Sequence, residues 1–122
     1  MTQSDKDLLL KDLCSRLPYG VKGEKYTIRM DGEFVPLIDV EIITAEDIIT
    51  LNGCPGYTIK PYIFPLSSMT TAQNEEYLKT CKGGNAAIPT LATFDWFHKN
   101  HIDYRGLIPM GLAIDATGKN IY

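Results

Sequence analysis

The period of apolar and polar positions changes several times along the chain, and each change predicts an element. Ser4 can cap a helix, with Asp5 and Asp7 in the next turn favouring the positive end of its dipole. At about 100° per residue, Leu9, Leu10, Leu13, Cys14 and Leu17 fall in one arc, while Asp5, Lys11, Asp12, Ser15 and Arg16 lie largely elsewhere. This predicts a first helix from about residue 5 whose leucine face packs into a core in preference to forming a dimer seam. Pro18 stops it near Arg16 or Leu17.

From Tyr19 the period falls to two. Tyr26, Ile28 and Met30 alternate with Thr27 and Arg29, Asp31 and Gly32 offer a tight turn, and Phe34, Val35, Leu37, Ile38, Val40 and Ile42 follow. The pattern is that of a hairpin with one half-buried face, and Pro36 assigns its end of the second strand to an edge or bulge. Gly20 and Gly23 add an earlier turn, with a short strand at 19–22. Residues 44–52 carry two signals. Thr44 with Glu46 and Asp47 has the form of a helix start, whereas Ile48, Ile49 and Leu51 suit a buried strand, which is the preferred reading. A turn at 52–56 and a short strand at 57–59 come next. Residues 60–66, stiffened by Pro61 and Pro65, read as an extended connection that wraps the domain outside the sheet centre.

Ser68 or Thr70, with Gln73 in capping-box position, opens a second helix whose apolar side is only Tyr77, Leu78 and Cys81, a surface helix ended by Gly83 and Gly84. Pro89 and Thr90 open a third. On it Leu91, Phe94 and Phe97 share an arc, His98 and His101 fall on the same side, and Trp96 points nearly opposite. Leu107, Ile108, Leu112 and Ile114 pack as an extended segment or short strand before a polar tail at 117–122. The expected fold is α+β, one domain over residues 1–122. It has a small antiparallel sheet of about three to five strands, with an N-terminal helix and two helices of the C-terminal half packed on it.

Bulk composition narrows the function classes. A chain of 122 residues, 44% hydrophobic and 22% charged, has the makeup of a globular domain rather than a disordered one. The net charge is −3 and the basic residues are scattered, so direct nucleic-acid binding is not expected. No basic start precedes an apolar stretch, and apolar runs end far short of the roughly 20 residues that span a bilayer, so neither a signal peptide nor a membrane span is expected. Cys14, Cys54 and Cys81 are odd in number and widely spaced, which fits reduced thiols and a cytoplasmic location.

Three stretches share a pattern: RLPYGVK at 16–22, IKPYIFPLSSMT at 59–70 and FDWFHKNHIDYRGLIPMGLAI at 94–114. Together, over roughly a third of the chain, they resemble a group of short uncharacterised proteins of gut bacteria of the Bacteroides type, their phages and other mobile elements. The resemblance implies a bacterial or phage, intracellular origin. It brings no activity and no catalytic residue.

Residues 90–111 hold the densest chemistry, with Trp96 and both histidines. Asp95, His98 and His101 are ligand types for zinc, nickel or iron at i, i+3 and i+6. Successive steps of three drift about 60° round a helix, so Asp95 and His101 diverge by roughly 120°, which favours histidines that border the apolar face and bond to backbone or to Asp103. A thiol nucleophile would be Cys54 or Cys81, activated by His98 or His101 and oriented by Asp95 or Asp103. Cys81 lies near a helix carboxyl end, where the dipole works against a thiolate. Arg105 has the planar fork to hold a carboxylate or phosphate and Tyr104 a face for a flat ligand, although pairing of Arg105 with Asp103 or Asp95, or capping of the third helix, is the preferred role. Trp96 either packs within the chain, under residues 61–65, or anchors an interface.

These residues carry no convincing catalytic set. The expected function is a small accessory protein that binds protein or itself, with Trp96, Tyr104 and Arg105 as binding residues and no cofactor. The alternative is a metal-dependent or cysteine-based enzyme built on Asp95, His98 and His101. Regulation of nucleic-acid machinery through a protein contact is a third, weaker reading.

Overall fold

Each α-helix among the residues described follows a threonine at its N-cap position, and in three of the four the threonine hydroxyl caps the first turn. Thr2 Oγ1 accepts from Asp5 N–H at 3.1 Å while Asp5 accepts from Thr2 N–H. Thr44 with Asp47 and Thr70 with Gln73 repeat the reciprocal box, and Thr93 Oγ1 accepts from Thr90 N–H at 2.9 Å. The computed structural model describes residues 2–28 and 30–122. Arg29, which the alternation puts on the hairpin, and the side chains of Ile38 and Asp39 lie outside the described residues. In chain order the elements are α1 Gln3–Arg16, β1 Lys22–Ile28, β2 Phe34–Ile42, α2 Ala45–Gly53, β3 Tyr57–Pro65, α3 Thr71–Thr80, α4 Leu91–Lys99, β4 Ile102–Asp103 and β5 Ile114–Asp115.

The fold is α+β, as the patterning predicts. The sheet runs β2-β1-β3-β4, with β5 also bonded to β3. Its two short strands join β3 in parallel, so the sheet is mixed rather than wholly antiparallel. β1 and β2 form the expected hairpin, and Glu33 N–H donates to Asp31 Oδ1 within the turn. Pro36 lies on β2, an edge strand.

Four expectations are corrected. Residues 45–53 are helix, not strand: Thr44 and Asp47 satisfy the first-turn amides, and Lys25 bonds Asp47 at 2.9 Å, tying the helix to the sheet. Residues 57–65 form one strand that lies between β1 and the parallel pairs, not a peripheral connection. Pro61 is tolerated there because it faces Gly23 across the ladder, where the backbones approach so closely that a Cβ on Gly23 would lie 2.8 Å from Lys60 O. On α1, Asp12 and Arg16 are fully buried, and Cys14 is exposed. Thr2, not Ser4, caps α1, and the polar tail at 117–122 is held down where Tyr122 bonds back to β1 and β3.

Leu9 and Leu13 of α1 meet Val21, Ile43, Leu51 of α2 and Ile59 of β3 in one core cluster. Ile63, Leu107, Leu112 and Ala113 form a second, with Leu8 and Ile108 against it. Each fully buried Leu or Ile contributes about 1.5–3 kcal/mol of transfer free energy, so these clusters hold α1 and α2 on the sheet. No helix among the described residues is long and apolar enough to cross a membrane.

Candidate functional site

The chemistry-rich segment is built on α4 and the turn that follows. The helix buries Phe97 and His98 of the predicted arc together with Thr93, whereas Leu91 is 85% exposed and Phe94 37% exposed, so the inward face is turned toward Thr93. The helix ends at Lys99. Asn100 Nδ2 donates to Trp96 O at 2.9 Å, and His101 turns left-handed at φ 57°, which removes it from the helical face that the wheel assigns it.

Past that turn the side chains interlock with α1. Asp12 accepts from Arg16 Nε at 2.8 Å and from Arg105 Nε at 3.1 Å. Arg16 Nη2 donates to Ile102 O at 2.6 Å. Asp103 accepts from Leu107 N–H and Ile108 N–H, both at 2.9 Å, which shapes the turn that carries Tyr104 and Arg105. Arg105 therefore pairs with Asp12 across the fold, not with Asp103 or Asp95.

Aromatic rings fill the space beside these charges. His98 Nε2 is hydrogen-bonded to the Tyr104 hydroxyl at 2.7 Å, and Tyr104 stacks on Phe97 with centroids 5.1 Å apart. The Arg105 guanidinium lies 4.9 Å from the Tyr104 ring centroid. Burial, then the Arg16 charge, holds the His98 pKa below its ordinary value, and burial raises that of Tyr104. His101 stacks on Tyr122 at 3.7 Å, and burial with the Arg16 charge brings its pKa down to about 4. The Tyr122 hydroxyl accepts from Lys22 N–H at 2.9 Å and donates to Tyr62 O at 2.7 Å. Although the residue is 44% exposed, that end is enclosed, and burial pushes its pKa up to about 12.

The ligand types singled out in the sequence do not converge. Asp95 is exposed, His98 is bonded to Tyr104 and His101 is stacked on Tyr122. Among the described residues no three of His, Cys, Asp and Glu stand together as a metal-binding group. Cys54 is exposed, and Cys81 is buried against Tyr77 O and Thr93 Oγ1. Trp96 packs on α3, not under residues 61–65: its ring lies 6.2 Å from that of Tyr77, and Nε1 donates to Glu76 at 3.3 Å. Tyr104 and Arg105 do reach the surface, where with Pro65, Leu66, Ser67 and Pro109 they line an open groove of about 460 Å³.

A second feature lies away from these residues. β2 is bonded to β1 alone, so one side of its backbone is open among the described residues. Along it Phe34, Leu37, Val40 and Ile42 are 42–56% exposed, and Ile28 and Met30 extend the apolar surface at the hairpin end. Ile49 of α2 is 71% exposed. Six of the fifteen acidic residues and none of the twelve basic ones fall within 31–47. The alternation at 34–42 signals the strand but does not tell an inward face from a bare one, which is why the sequence points elsewhere. No family model, curated protein or solved structure matches the chain.

Proposed function

We propose that this chain is a small accessory protein that acts by binding protein, with β2 as its principal contact. The observation that carries the reading is a nine-residue edge strand with four large apolar side chains left 42–56% exposed. Such an edge offers unpaired N–H and C=O groups beside apolar surface, the combination that templates pairing with another chain. Tyr104 and Arg105 have a lesser share through the groove they line, and Trp96 acts chiefly by joining α3 to α4. The resemblance of the three sequence stretches and the unpaired cysteines support a cytoplasmic, bacterial or phage setting.

The test is site-specific photo-crosslinking in cells, with the photoreactive residue at Val40 and, as a remote control, at Lys119. A defined adduct from position 40, to a second copy or to another protein, is expected, absent from position 119 and lost with Leu37→Lys. If both positions give the same background, the edge is no binding surface and the reading fails.

A further inference from the structure

We infer that the occupant of the β2 edge is an extended segment of a partner protein in which apolar residues alternate with lysine or arginine. The inference rests on the protein-binding reading above and specifies its partner.

Charge distribution carries the argument. Within 31–47 there are Asp31, Glu33, Asp39, Glu41, Glu46 and Asp47 and no basic residue, although the whole chain is only −3. The remainder of the chain is accordingly positive. Lys25, from the adjacent strand, offsets part of this field by pairing with Asp47 at 2.9 Å and Glu41 at 3.4 Å. Burial works against its charge, but the bonds and charges of those two carboxylates outweigh this and raise its pKa, so it stays cationic and committed. Glu33, just before the strand, and Glu46, on α2 four residues past its end, remain exposed. An incoming strand would therefore meet apolar side chains at Leu37, Val40 and Ile42 within an acidic border.

The same charges oppose pairing of two copies through this edge. An antiparallel two-fold centred on Leu37 sets Glu33 of one copy opposite Glu41 of the other, and centring on Ile38 leaves them diagonal. Like charges directly opposite destabilise a ladder, and the diagonal positions, about 7–8 Å apart, are still within reach of two long glutamate side chains. A partner strand with cations at alternate positions relieves the field and still supplies apolar contacts and backbone bonds. Period-two alternation is the spacing a strand requires.

The probes are two blocked heptapeptides, Thr-Lys-Val-Lys-Val-Lys-Thr and Thr-Glu-Val-Glu-Val-Glu-Thr, added to the full chain at low salt. Amide hydrogen exchange and chemical shifts across 34–42 are the readout. The basic peptide is expected to slow exchange there at least 10-fold, an effect reduced about 10-fold by raising salt to 0.5 M, where screening acts over only a few ångströms. The acidic peptide leaves exchange unchanged, and Glu33→Gln with Glu46→Gln weakens the basic one while leaving the Lys25 pairs intact. Equal effects of both peptides, or no effect of the basic one, would overturn the proposal. So would protection of β2 by self-association of the protein alone. In these last cases an adduct at position 40 leaves the broader binding reading standing, whereas loss of both results removes both.

Discussion

Replacing Asp12 by asparagine probes the buried charge network at its centre. The side chain is fully buried, and its two oxygens accept separately from Arg16 and Arg105. Asparagine keeps the shape, but it removes the charge that balances two guanidinium groups and turns one acceptor into a donor that faces a donor. Breaking a buried ion pair from one side costs about 3–5 kcal/mol, because the surviving charge stays desolvated. A domain of this size has roughly 6–18 kcal/mol in total, so the loss is a large fraction of it. With an m-value of about 2 kcal/mol per molar urea, the unfolding midpoint falls by roughly 1.5–2.5 M. Trp96, the single tryptophan, reports the transition by fluorescence. The double variant Asp12→Leu with Arg16→Met removes the paired charges together and recovers part of the loss, but not all of it. The Ile102 carbonyl then lacks its donor and Arg105 its acceptor. A midpoint shift below about 0.5 M for Asp12→Asn would mean that water or rearrangement already compensates the arginines, and the account of this network would be wrong.

Two further outcomes follow from the same end of the molecule. With a folded pKa of about 4 against about 6.5 unfolded, His101 binds fewer protons in the native state, so its contribution is complete above pH 6.5 and is lost as pH falls toward 4. At pH 5 this amounts to up to about 2 kcal/mol. Urea midpoints at pH 7 and pH 5 should converge in His101→Asn, which tolerates the left-handed backbone, and an unchanged difference would show that other groups carry the acid sensitivity. Tyr122→Phe deletes the hydroxyl that bridges Lys22 and Tyr62, at an expected cost of about 1–3 kcal/mol for groups left unpaired. A variant as stable as the parent in thermal unfolding would contradict that bridge.

The sequence discloses local order well and long-range order poorly. The end of α1 at Arg16, the starts of α3 and α4, the Asp31–Gly32 turn and the α+β class follow from caps, prolines and period, whereas the start of α1 and the ends of α3 and α4 do not. Residues 44–52 mislead because three apolar residues in five fit both periods, and only the Thr44–Asp47 box breaks the tie. β3 misleads because Pro61 argues against a central strand, and its compensation, Gly23, lies 38 positions away. Asp12 and Arg16 fall off the leucine arc by wheel angle, yet they are buried because Arg105 and the Ile102 carbonyl meet them there. Pairing partners 86 and 93 residues distant leave no mark on the local pattern. At β2 Pro36 does signal an edge or bulge, but the alternation at 34–42 does not disclose that Phe34, Leu37, Val40 and Ile42 stay exposed along it.

The closure between α1 and the residues after α4 also governs how the chain is assembled. Bonds from Arg16 to Ile102, Arg105 to Asp12 and Lys22 to Tyr122 span 86, 93 and 100 positions. Bringing such distant points together costs about 4 kcal/mol of chain entropy before any bond is made. The hairpin and the capped helices have no comparable cost and can form early, so the charged latch is set late. Interactions formed after the folding barrier chiefly slow escape from the native state. Asp12, Arg16 and Arg105 thus act less on how quickly the protein folds than on how long it remains folded.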